Sequence, residues 1–136
     1  MVEFDRDLKR INGQYVGYVR PLSAVTEADW IALFESDLAG LALNEFLLIV
    51  DIIDVDEEFG LTGMSKFVEL IKKQGFGRTR IAVLPPNRFY PVVLKLFEQV
   101  AKQHDVDFQA RAFDNRDQAE DWLCGEKVAL KVSAAR

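Results

Sequence analysis

Five consecutive apolar residues, Phe46 to Val50, constrain this chain more than any other stretch of its 136 residues. A strand whose every side chain is apolar needs cover on both faces, as in the parallel centre of an α/β layer. The run continues into an acidic stretch, Asp51, Asp54, Asp56, Glu57 and Glu58, and then into Phe59, Gly60, Leu61, Thr62 and Gly63. Met64, Phe67, Val68 and Ile71 follow at helical spacing and mark the inner face of a helix running from about Leu61 to Gln74 and stopping at Gly75. The unit therefore reads strand, loop, helix. In open α/β sheets, ligands and partners dock in the crevice outside the carboxyl ends of the strands. The loop from Asp54 to Ser65 is accordingly the place to look for function.

The flanking sequence supplies the other elements. Asn12-Gly13 sits between two alternating segments, and both central residues of a type I′ turn need positive φ, so the chain opens on a β-hairpin. Its second strand is Gln14 to Arg20, ended by Pro21, and Gly17 within it marks either a bulge or a close backbone approach. Thr26 starts a helix, its hydroxyl placed to cap the N–H three residues on and Asp29 placed to reach back. Ile31, Phe34, Leu38 and Leu41 form that helix's buried face. Arg80 to Leu84 is a further apolar strand ended by Pro85-Pro86, followed by a helix to about Gln103 with Val93, Leu96, Phe97 and Val100 inward. Asp107 to Phe113 alternates as a strand nearer an edge, and Asp114-Asn115 starts a last helix with Ala119, Trp122 and Leu123 inward.

The order is β-β-α-β-α-β-α-β-α: an N-terminal hairpin, then alternating β/α units. That is an α/β fold with a mostly parallel sheet of about five strands and four helices. Residues 1–136 form one domain, with a core over about 2–125 and an extension over 126–136. Within the extension, KVALKV alternates and is either a further strand or a surface that pairs in a homodimer, since an alternating edge invites pairing.

The net charge of −5 excludes a nucleic-acid binder, which needs surplus Lys and Arg against phosphates. No apolar stretch of about 18 residues is present to span a membrane, and the charged start MVEFDRDLKR is not a signal peptide. A single cysteine leaves no intrachain disulfide and suits a reducing cytoplasm. One His and one Cys make no zinc site.

The acidic cluster has the oxygen ligands that a hard cation such as Mg²⁺ takes, yet the further acidic pair and the Lys of a phosphoacceptor receiver domain are missing. It reads as a solvated loop. Thr62 and Ser65 stand near the start of the second helix, where free N–H groups favour a phosphate; the other reading of Thr62 is a helix cap. His104 has no nucleophile tied to it and reads as an exposed helix-end residue, and Cys124 beside Trp122 as a buried small hydrophobe. Phe59, Phe76, Phe89, Tyr90 and Phe113 fall near loops and helix starts, where aromatics line a pocket or interface or else form core edges. Gly75-Phe76-Gly77 follows a helix and is no phosphate loop.

The stretch DIIDVDEEFGLTGMSKFVELI resembles the central segment of the STAS domain, the fold of bacterial anti-sigma factor antagonists. There a buried strand runs into a loop ending Asp-Ser-Ser-Gly-Leu; here Thr62-Gly63-Met64 stands where Ser-Gly-Leu would, and Gly60-Leu61 replaces the preceding Asp-Ser. PLSAVTEADW, RIAVLPPNRFYPVVLKLF and FDNRDQAEDWL extend the likeness over most of the chain, and the last of these, with RIAVL, is most similar to the SpoIIAA-like family of small stand-alone bacterial proteins. That family is grouped by fold with lipid-binding CRAL-TRIO-type domains. The resemblance implies a non-catalytic, cytoplasmic bacterial regulatory module without cofactor or metal, bound by a protein partner (a regulator or a kinase). Thr62, or else Ser65, would be its phosphoacceptor, and Asp54, Phe59, Leu61, Gly63, Met64, Phe89 and Tyr90 its contact residues. The alternative is a small apolar, lipid-like ligand held between sheet and helices.

Overall fold

The computed structural model describes residues 3–38, 44–54 and 60–124. Strands β1 (Phe4–Ile11) and β2 (Gln14–Pro21) form the opening hairpin, followed by α1 (Glu27–Leu38), β3 (Glu45–Asp51), α2 (Leu61–Gln74), β4 (Arg78–Leu84), α3 (Tyr90–Gln103), β5 (Phe108–Ala112) and a fourth helix, α4, over residues 116–124. The sheet order is β1-β2-β3-β4-β5, antiparallel between β1 and β2 and parallel at every other step. This is the expected α/β architecture. Because each right-handed crossover moves one strand further in the same direction, α1, α2 and α3 share one face of the sheet. The last helix, α4, returns over the other.

That arrangement explains the unbroken apolar run. Phe46, Leu48 and Val50 join Phe34, Phe67, Val68, Ile71 and Leu94 under the three helices. Leu47 and Ile49 face the opposite way and pack with Val16, Ala82 and Leu84 under Ala119, Leu123 and Cys124 of α4. The hub of the larger core is Phe67, whose ring centroid lies 4.5 Å from Phe34 and 5.5 Å from Phe97, the latter edge-on. Each such pair adds about 0.5–1.5 kcal/mol beyond area burial.

Asn12 and Gly13 adopt φ of 52° and 80°, as a type I′ turn requires. Gly17 is no bulge, because the β1–β2 register runs one-to-one from Phe4↔Pro21 to Ile11↔Gln14. It is a close approach: a Cβ there would lie 3.2 Å from Leu48 Cδ1. Helix α2 starts and stops where the pattern placed it, with Gly75 at φ 73° closing it onto Lys72 O. Two inner stripes differ from expectation. On α1 the buried residues are Trp30, Phe34 and Leu38, with Ile31 half-buried and Leu41 outside the described residues. On α3 they are Leu94 and Ala101, with the expected Val93, Phe97 and Val100 half-buried beside them, while Leu96 points outward. Overlapping apolar stripes satisfy the same 3.6-residue period, and on α3 Leu94 and Ala101 take the centre of the buried face. The segment KVALKV lies outside the described residues.

Candidate functional site

The carboxyl ends of β3 and β4 meet at a backbone bond from Ile52 N–H to Leu84 O, 3.0 Å, so the loops leaving both strands emerge side by side. Asp51 closes β3. Its Oδ1 accepts from Ile53 N–H at 3.3 Å, and its Oδ2 accepts from the Tyr18 hydroxyl at 2.7 Å. Burial, then the hydrogen bond to Asp51, push the Tyr18 phenol up to about 12, so it remains a proton donor at neutral pH. The Arg116 guanidinium lies 4.1 Å above the Tyr18 ring and bonds Glu120, which ties α4 to this corner of the sheet. No local motif announces the pair; Tyr18 and Asp51 are 33 residues apart and meet only through β2–β3 pairing.

Asp54 is exposed. Residues 55–59, and with them Phe59, Asp56, Glu57 and Glu58, lie outside the described residues. Helix α2 then opens at Gly60 in extended geometry without a side-chain cap of its own, so Thr62 does not cap it. Thr62 stands exposed in the first turn, one residue inside the helix start, and Ser65 is half-buried. The helix end is satisfied from a distance. Gly60 N–H donates to Glu27 Oε2 at 3.1 Å, and Glu27 is itself the first residue of α1. One carboxylate thus sits at the positive ends of two helices. The Glu27 side chain lies so close over Gly63 that a Cβ there would be 2.4 Å from Glu27 Cγ. Gly63 is needed for that approach rather than for backbone freedom.

Among the other residues singled out, Leu61 is 60% exposed and Phe89 67%, the latter with Arg88 over its ring at 5.2 Å. Val92 and Leu96 continue Phe89 along one outward face of α3, and Ile53 is exposed beside Asp54. Met64 and Gly63 are buried, so neither offers a surface to a partner in this conformation. Tyr90 is half-buried and turned toward the core. Phe76 stacks on Phe46 and Phe113 tilts on Trp122, both as core edges. His104 closes α3 as its last cap, half-buried rather than exposed, and Cys124 is buried. Among the described residues no group of His, Cys, Asp and Glu is placed to hold a metal ion.

Two hollows bear on the binding of an apolar ligand. The one between sheet and helices, lined by Phe34, Phe67, Tyr90, Phe97 and Phe108, measures about 60 Å³, room for about two waters. A groove of about 790 Å³ lies beside the hairpin, between it, α1 and the amino end of β3, lined by Leu8, Tyr15, Gly17, Leu33, Leu38 and Phe46 among others. It is at the far end of β3 from Asp51.

No model of a protein family matches this chain, and no curated protein matches it. Among solved structures, it is similar to an uncharacterised protein of the DUF3478 family with a SpoIIAA-like fold from Shewanella loihica PV-4. The two share 20% identity with a TM-score of 0.61, over 91% of this chain and 96% of that one. The fold defined by the sheet order and the single opposed helix is therefore the SpoIIAA-like fold.

Proposed function

We propose that the chain is a non-catalytic regulatory module that docks a protein partner on the surface where β3 and β4 end and α2 and α3 begin. The observation that carries this reading is that Ile53, Leu61, Phe89, Val92 and Leu96, all large, apolar and exposed, fall in the segments that follow β3 and β4 and in the first turns of α2 and α3. Exposed apolar side chains among charged ones are the material of a docking patch. The single cysteine, buried, suits the reducing cytoplasm that is the proposed setting.

Phosphate on Thr62 is the proposed switch. The N-terminal N–H groups of α2 favour an anion, and Glu27 already supplies one. A phosphothreonine brings about −1.5 to −2 further charge within the same helix turn. It competes with Glu27 for those donors and loosens α1 from the start of α2, next to Leu61. Binding of candidate partners to Thr62→Glu and Thr62→Ala tests this: Thr62→Glu weakens binding by about tenfold and Thr62→Ala leaves it unchanged. Equal binding by the two variants to every partner ends the switch reading.

The 790 Å³ groove supports a second reading, a small apolar ligand, since it has the size of a small-molecule site. The 60 Å³ hollow under the helices is too small for a lipid. Native mass spectrometry of protein purified from its own host distinguishes the two: reproducible added mass favours the ligand, a bare chain the docking module.

A further inference from the structure

We propose that the outward face of α3 is one half of a helix–helix interface, and that it receives an amphipathic helix with an apolar seam and acidic flanks. This rests on the docking-module reading above and gives its protein partner a chemistry.

Phe89, Val92 and Leu96 are 67%, 64% and 43% exposed. They stand three and then four residues apart, and Phe89, at the N-cap, already has helical φ and ψ of −90° and −11°. Their side chains therefore share one stripe along the first turns of the helix. The stripe is not the core face, which is formed by Leu94 and Ala101 with Phe97 and Val100 beside them. Its spacing is that of positions a, d and a of a heptad, the pattern by which one helix receives another. Gln99 and Gln103 take the next d and a positions, so the apolar seam ends after Leu96.

Charge names the occupant. In the same frame Arg88, Lys95 and Lys102 all fall at g, so they form one row beside the seam, at steps of about 10.5 Å along the axis. Among the described residues none of the three is in an ion pair. The one acid on α3, Glu98, is engaged elsewhere: its Oε2 accepts from Ala110 N–H at 2.7 Å. This unpaired basic row stands out in a chain of net charge −5. It fits acidic residues at the flanking positions of an incoming helix, because charges at e and g set partner choice. A second copy laid antiparallel on the seam would set the two basic rows against each other, which disfavours it. The extension over 126–136 is no better suited, with Lys127, Lys131 and Arg136 against Glu126.

The probe is a fluorescent three-heptad peptide with Leu at a and d and Glu at e and g. It should bind the full chain saturably, and the same peptide with Lys at e and g should bind at least about tenfold more weakly. Lys95→Glu combined with Lys102→Glu should reverse that order of preference, an outcome that misfolding does not produce. Val92→Asp should weaken binding of the acidic peptide by about tenfold or more with the far-ultraviolet circular dichroism unchanged. No preference for the acidic peptide, or a preference that survives the charge reversal, overturns the proposal. So does binding to phosphatidylglycerol vesicles without binding to the acidic peptide, which would make the face a membrane surface. A dimer that Val92→Asp dissolves overturns it too, since a second copy would then occupy the seam. The two readings fail separately: a protein partner lost on Leu61→Asp but kept by the charge-reversed chain overturns this inference and leaves the docking module standing.

Discussion

Helices α1 and α2 start in opposite ways. At α1 the cap is local and reciprocal: Thr26 N–H donates to Asp29 Oδ2 at 2.9 Å, Asp29 N–H donates to Thr26 Oγ1 at 3.3 Å, and the hydroxyl closes the box. At α2 the N-cap residue, Gly60, has no side chain to cap with, and among the described residues the carboxylate that satisfies its N–H comes from Glu27, 33 residues upstream. The first start forms wherever its four residues form. The second has its Glu27 cap only while α1 is docked. Segments that move come from parts whose order is not locally secured, and α2 carries Thr62, the site of the proposed switch.

The largest effect that would test this contrast is expected from Glu27→Ala. It removes a hydrogen bond to a charged acceptor and a contact over Gly63, and should cost about 2 kcal/mol in urea unfolding. Amides of residues 60–64 should exchange faster. A cost within about 0.5 kcal/mol, the range of an ordinary surface change, would mean that α2 does not depend on α1.

Gly63→Ala sharpens the point because its sign should change with its neighbour. Alanine gains about 1 kcal/mol of helix propensity over glycine. With Glu27 present, the new Cβ, 2.4 Å from Glu27 Cγ, must drive the carboxylate off Gly60, for a net loss of about 1 kcal/mol. In the Glu27→Ala background the obstruction is gone and the same substitution should stabilise by up to about 1 kcal/mol. Additive effects in this double-mutant cycle would show that the two residues are uncoupled.

The contrast also explains what was legible beforehand. The α1 box, the Asn12-Gly13 turn and the Gly75 stop are each written within four residues, and each stands where the pattern put it. The strand order followed from alternation of elements, because crossover handedness leaves few topologies. The α2 cap, the reason Gly63 is glycine, and the Tyr18–Asp51 bond were not legible, since each joins residues more than 30 positions apart. Thr62 looked like a cap because spacing cannot reveal that a carboxylate from another helix has taken the role. The α3 stripe differed in part: Phe97 and Val100 pack against the core as expected, but Leu94 and Ala101 are the buried residues and Leu96 points outward, because overlapping apolar stripes fit one period.

Thr26→Ala should cost about 1 kcal/mol, as loss of a side-chain cap does, and leave exchange at residues 60–64 unchanged. Faster exchange there would mean that the two starts are less separate than their bonds suggest.

The smallest effect lies in the acid dependence of the α1 box. The backbone N–H and then the hydroxyl of Thr26 hold the Asp29 carboxyl below its ordinary range. A depressed folded-state pKa gives stability that is complete above the unfolded-state value, about 3.9, and lost as pH falls through the lower folded value. Asp29→Asn removes this contribution. The stability gap between the two proteins should therefore be constant from neutral pH down to about 4 and narrow below it. Asp29 is at the surface, so the gap should also shrink with salt. A gap that stays flat through the acid range would mean that Thr26 recognises the shape of the side chain rather than its charge. The α1 start would then be held by a neutral cap, while the α2 start is held by the Glu27 carboxylate.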